Sequence, residues 1–128
     1  MLIYNADTGL AVTGRVDLDG TFTEYQIYSF STNWTHFVGT NGLMLIYNAD
    51  TGLTVTGSVN PVDGTFTQFN TYGFSAGWTH FAASRGLMLL YNANSGLAVT
   101  GSLTGDGIFT QYDTYGFDAG WTHIAADF

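Results

Sequence analysis

MLLYNANSGLAVTG, residues 88–101, is the third appearance of one motif in this chain. It stands as MLIYNADTGLAVTG at 1–14 and as MLIYNADTGLTVTG at 44–57, so the offsets are 43 and 44 residues. A second marker keeps the same period: Trp-Thr-His occurs at 34–36, 78–80 and 121–123, at offsets of 44 and 43. The middle unit therefore carries one extra residue. It lies in NPVDG (60–64), where the other units have DLDG and TGDG, and an insertion tolerated there marks a turn. Self-similarity at this period is the signature of a repeat architecture.

Each unit divides into four runs that read as strands. In the third unit they are WTHFAAS (78–84), LMLLYNA (87–93), LAVTGSL (97–103) and IFTQYDTY (108–115). The separators SRG, NSG and GDG supply Asn, Asp, Ser and Gly, the residues that tight hairpins require. The link after the fourth run, GFDAG (116–120), is longer. Three short connections and one long one describe an antiparallel four-stranded meander followed by a step to the next unit. Alternation places Trp78 and His80 on one face of the first run and Thr79 and Phe81 on the other. LMLLYN is apolar on both faces, as a strand buried on both sides is. The Thr-Gly pairs at 13–14, 56–57 and 100–101 mark a bulge or a close backbone approach.

Composition agrees with a β fold and removes several partners. The 128 residues suit one domain, read as units 1–33, 34–77 and 78–120 with a closing strand 121–128. At 45% hydrophobic and 16% aromatic the chain is rich enough in apolar groups to order itself. It has no Cys, hence no disulfide framework and no thiolate metal site. It has no Lys, and Arg15 and Arg85 stand against ten acids for a net charge of −8. That charge repels phosphate backbones and anionic lipid, so neither nucleic acid nor membrane insertion is expected. No apolar run is long enough for a bilayer and no signal peptide is read at the N-terminus, which fits a cytoplasmic or a processed protein and leaves the compartment open.

The stretch GWTHFAASRGLMLLYNANSGLAVTGSLTGDGIFTQ resembles the tandem repeats of bacterial β-propeller proteins: a Trp-Thr-His start, a Leu-Leu-x-Tyr-Asn strand and a Thr-Gly turn. These are distantly similar to FG-GAP blades. The resemblance covers essentially the whole chain and implies blades of four strands. FG-GAP loops that bind calcium are rich in aspartate; here Asp17 and Asp19 share one hairpin, whereas Asp63 and Asp106 stand alone in theirs, so neither calcium nor any other cofactor is expected. A β-trefoil, also threefold, is the alternative fold. The propeller is preferred because the Trp opens the meander and the turns are short and regular.

With the Trp run as the first strand of a blade, the chain order is permuted. The N-terminal unit lacks its inner strand, and GWTHIAADF (120–128) offers an inner strand with no blade after it. Three blades are too few for a propeller, which has ~4–8. A head-to-tail homodimer of six blades is therefore expected, with Trp121–Ala125 of one copy beside Leu2–Asn5 of the other. An engineered propeller fragment beginning at a repeat boundary gives the same pattern.

The recurring Trp34, Trp78 and Trp121, with Tyr28, Tyr72 and Tyr115, are candidate ligand-binding residues. An indole face stacks on a sugar ring, and the surrounding Asn, Thr and Gln suit neutral sugars. The alternative for each Trp is packing between sheets. His36, His80 and His123 are grouped with the site as a ring lining the channel; the alternative is a repeated hydrogen bond that registers neighbouring blades, and no metal is assigned. The acids do not recur as a pair, no Cys nucleophile or phosphate loop is present, and near-identical units suggest several equal sites. The expectation is a non-enzymatic, multivalent, lectin-like glycan binder that gains avidity from its repeats. The second reading is a structural or protein-binding scaffold.

Overall fold

A computed structural model describes residues 1–127. Phe128, the end of the anticipated closing strand, lies outside the described residues. The strands are β1 (Leu2–Tyr4), β2 (Leu10–Val16), β3 (Phe22–Ser29), β4 (His36–Thr40), β5 (Leu43–Tyr47), β6 (Leu53–Val59), β7 (Phe66–Gly73), β8 (His80–Ser84), β9 (Leu87–Tyr91), β10 (Leu97–Leu103) and β11 (Phe109–Gly116). They form three antiparallel meanders in sequence order: β1-β2-β3, β4-β5-β6-β7 and β8-β9-β10-β11. Every strand pairs within its own unit. This is the blade arrangement; a trefoil instead joins strands of different units into one barrel.

Local chemistry explains the turns. The first hairpins turn at Asn41-Gly42 and Arg85-Gly86, all four with positive φ (52°, 75°, 54° and 79°), as a two-residue hairpin of right-handed twist requires. The second hairpins are closed by Asn5, Asn48 and Asn92. The Oδ1 of each accepts the N–H two residues on, at 2.9 Å in all three. The Thr-Gly pairs are bulges: the ladder register slips between Thr13 and Gly14, between Thr56 and Gly57, and between Val99 and Gly101. Gly57 is needed there because a Cβ would stand 2.6 Å from the Thr67 carbonyl and 2.7 Å from the Phe66 ring.

The Trp lies just ahead of the inner strand rather than inside it, because a positive φ precedes it. Gly77 and Gly120 have φ of 90°, and Asn33 has 71°. Asn is among the few side-chain-bearing residues that visit this region readily, which accounts for NWTH in place of GWTH. The Trp78 amide then bonds to the Tyr47 hydroxyl at 3.1 Å instead of joining a ladder.

Apolar side chains close the gaps between blades. Leu45, Tyr47, Trp78, Met88, Leu90 and Val99 belong to one buried cluster between the second and third sheets. Each junction repeats one aromatic contact: Phe30–Phe66 at 5.1 Å and 55°, Phe74–Phe109 at 5.0 Å and 52°. β5 and β9 are the most buried strands, as their two-faced apolar sequence requires. The chain remains an arc. Among the described residues, β1 has β2 on one side and no strand on its other edge, and residues 121–127 form no strand.

Candidate functional site

The polar links between blades are as regular as the apolar ones. Thr13 Oγ1, buried on β2, donates to the Gly64 carbonyl at 2.8 Å, and Thr56 Oγ1 on β6 donates to that of Gly107 at 2.7 Å. The Tyr28 hydroxyl accepts the Phe66 amide at 2.9 Å, and that of Tyr72 accepts the Phe109 amide at 3.1 Å. His36 Nε2 meets the Thr79 carbonyl at 3.0 Å, and His80 Nε2 meets that of Thr122 at 2.7 Å. A carbonyl only accepts, so Nε2 carries the proton. Nδ1 of each ring lies 2.7–2.8 Å from the hydroxyl of the preceding threonine. Both nitrogens of these two imidazoles are therefore engaged: Nε2 reaches across the blade junction, and Nδ1 is held by the neighbouring threonine. His123 keeps its Thr122 contact at 2.8 Å, and its ring is exposed. Among the described residues no group of three His, Cys, Asp or Glu side chains gathers as a metal site would.

Two clefts of the same construction open beside the tryptophans. The first, of about 400 Å³, lies between the first and second sheets. The link after β3 contributes Phe30, Ser31 and Trp34, and the next blade contributes Ile46, Val55, Phe66 and Gln68. The second, of about 320 Å³, repeats it with Phe74, Ser75 and Trp78 facing Leu90, Val99, Phe109 and Gln111. No charged side chain lines either cleft. The floor is apolar. The rim offers a serine hydroxyl and a glutamine whose amide nitrogen is directed to a threonine, Gln68 to Thr71 and Gln111 to Thr114. Its side-chain carbonyl stays free to accept from a ligand hydroxyl. Two larger hollows, of about 630 and 550 Å³, open at the hairpin-tip end beside Asn60 and Pro61. Arg85 lines the first of these and Arg15 the second, where Arg15 pairs with Asp17 at 2.7 Å.

The anticipated residues divide accordingly. Trp34 and Tyr28 line the first cleft and Trp78 lines the second. Tyr72 points its hydroxyl into the blade junction. Trp78 is 7% exposed, whereas Trp121, at the end of the arc, is 59% exposed, and Tyr115 is exposed too. His36 and His80 are blade clips, and the exposed His123 is bonded, among the described residues, only to its neighbour Thr122. Sequence reasoning missed Gln68, Gln111 and the Ile46 and Leu90 positions. Within-unit alternation does not show which residues of the following unit a link will face; their recurrence at the repeat offset was the available signal.

No family model and no curated protein matches this sequence. Among solved structures, the arc is similar to a Lactobacillus plantarum protein at 17% identity and a TM-score of 0.60, over 89% of this chain and 38% of that one. It is similar also to a candidate 6-phosphogluconolactonase from Bacteroides fragilis at 15% identity and a TM-score of 0.66, over 92% of this chain and 39% of that one. The chain thus spans under two fifths of either neighbour, and the likeness is one of fold: an all-β, propeller-like arrangement of which this chain covers part. Neither neighbour is described as a lectin. The expectation of a non-enzymatic chain is corrected by the second likeness: a similar fold occurs in a candidate 6-phosphogluconolactonase, so this fold gives no ground for excluding an enzyme. The physical reason is that one fold hosts many functions, so repetition of the blades does not by itself fix what each cleft does.

Proposed function

We propose that this chain is a carbohydrate-binding propeller segment of the Trp-Thr-His repeat type, with equivalent sites in the clefts at Trp34 and Trp78. The recurrence of one uncharged, half-apolar cleft at each internal junction supports the reading. Its volume lies within the ~300–1,000 Å³ range of small-ligand sites. An apolar floor of Trp, Val and Phe takes the C–H face of a pyranose. Ser31 with Gln68, and Ser75 with Gln111, take its hydroxyls. Two equal sites per chain favour ligands displayed in many copies, where avidity multiplies a weak single-site affinity by ~10²–10⁴.

The test is a titration with neutral mono- and oligosaccharides followed by amide chemical shifts, with a glycan array to choose the sugars. Shifts gathered at Ser31, Gln68, Ser75 and Gln111, abolished by Gln68→Ala with Gln111→Ala, are the expected result. A silent array with unmoved amides overturns the reading and leaves a scaffold.

A sugar lactone is a second ligand class, favoured by the likeness of fold to the Bacteroides protein. A lactone ring presents the same hydroxyls and apolar face. Acid release from gluconolactone, followed at constant pH against the buffer rate, tests for turnover.

A further inference from the structure

The two ends of the arc carry the two halves of one more blade junction. We propose that a second copy of this chain docks on them head to tail, so that two chains close one six-bladed ring and create two clefts unlike the internal ones. Exposure carries the argument. Ile46 and Leu90 are each 2% exposed, and their counterpart Ile3 is 55% exposed. Met88 is 2% exposed and Met1 57%; Trp78 is 7% exposed and Trp121 59%. Phe22 and Phe117, the counterparts of the junction residues Phe66 and Phe74, are both exposed. Nothing stands within 4 Å of a Cβ built on Gly20, whereas one on Gly64 would meet Thr13 Oγ1 at 2.4 Å and one on Gly107 would meet the Phe69 Cβ at 2.5 Å. These apolar groups are buried or contacted at the internal junctions, and their counterparts at the two ends stand open.

The internal registers transfer directly. β4 pairs with β5 as His36↔Tyr47, Phe37↔Ile46 and Val38↔Leu45, and β8 with β9 as His80↔Tyr91, Phe81↔Leu90 and Ala82↔Leu89. The same pattern sets His123 opposite Tyr4 of the other copy, Ile124 opposite Ile3 and Ala125 opposite Leu2. It also sends the Thr100 hydroxyl to the other copy's Gly20 carbonyl, and the amide of its Phe22 to the Tyr115 hydroxyl. The new cleft differs in charge. Asp118 stands where the internal clefts have Ser31 and Ser75, and Glu24 of the other copy where they have Gln68 and Gln111. The junction also has one mismatch. Gln26 and Asn70 donate amide hydrogens to the Asp63 and Asp106 carbonyls across their junctions, at 3.3 Å each. Asp113, at the equivalent position, brings a carboxylate to a carbonyl.

The experiment uses the full chain, which has no native cysteine. Directly opposed residues in an antiparallel pair lie ~4.5–5.5 Å apart at Cα, within the span of a disulfide. Leu2→Cys with Ala125→Cys, oxidised mildly at micromolar concentration, is expected to run as a covalent dimer on a non-reducing gel. A chain bridged to itself shows that the tail completes its own sheet and overturns the proposal. A ladder of larger species shows an open filament and overturns closure; an uncrosslinked folded monomer overturns the contact. Sedimentation of Asp113→Asn in the cysteine-free chain is the second measurement. Restoring the amide donor should lower the dimer dissociation constant about tenfold. An unchanged constant overturns the register.

Discussion

Tyr47→Phe measures what holds a blade to its neighbour. The Tyr47 side chain is fully buried. Its hydroxyl donates to the Ser75 carbonyl at 2.7 Å and accepts the Trp78 amide at 3.1 Å. One oxygen thus anchors the inter-blade link to β5 at two points. Phenylalanine keeps the ring, its 5.0 Å contact with Phe81 and nearly all of the volume, so no cavity term enters. The Trp78 amide loses its partner where water does not reach, at a cost of about 1–3 kcal/mol. Ser75 is exposed, so its carbonyl recovers a water and the second loss is about 0.5–1 kcal/mol. The total is about 1.5–4 kcal/mol. With a urea slope of ~1.5–2 kcal/mol per molar, the unfolding midpoint should fall by ~0.75–2.7 M with the slope unchanged. Urea titration by tryptophan fluorescence and by far-ultraviolet dichroism reads both. A midpoint within ~0.3 M of the parent refutes the reasoning, because the link would then be held by packing alone.

Tyr91→Phe removes the same pair of bonds, to Asp118 at 2.7 Å and Trp121 at 3.1 Å, but Trp121 is exposed; the open chain should lose only about 1 kcal/mol, as urea titration at nanomolar concentration will read. Gly57→Ala drives a Cβ to 2.6 Å from the Thr67 carbonyl, and calorimetry should show a melting temperature lower by several degrees, whereas Gly116→Ala meets nothing within 4 Å and should leave it unchanged. Hydrogen bonds from the Thr21 and Thr65 amides hold the Asp19 and Asp63 carboxyls below the ordinary range, and the Thr104 hydroxyl does the same for Asp106. A depressed folded value means that their stabilisation is complete above the unfolded value of ~4 and is lost as pH falls through the folded values; carbon-detected titration of the three carboxyls below pH 4 checks the sign. Burial pushes the Tyr47 phenol up, so its contribution is present below pH ~10 and lost as pH rises through the raised value, which ultraviolet titration of Tyr47→Phe against the parent isolates.

The blades were legible because each is a local meander: its turns, its bulges at Thr-Gly and its doubly buried LMLLY strand are written within about forty residues. The clefts were half legible. Trp34, Trp78 and Tyr28 announce themselves by recurrence, but Ile46, Val55 and Gln68 line the first cleft from the following sheet, across a junction that the strand alternation does not encode. The blade-registering hydrogen bond of His36 and His80 was legible as a role, but its partners were not, since the carbonyls they meet belong to residues more than forty positions away. The open ends were legible as permutation. The exclusion of enzymatic activity was not secure, because it assumed that repeated units must do the same chemistry.

The solution mass of the chain between nanomolar and high micromolar concentration, by light scattering or sedimentation equilibrium, tests the arc and its complementary ends most directly. The account expects a rise from 13.8 kDa to a plateau at twice that mass, with Trp121 fluorescence becoming shielded from acrylamide over the same range. A constant 13.8 kDa with Trp121 accessible throughout, or a mass that climbs without a plateau, contradicts it.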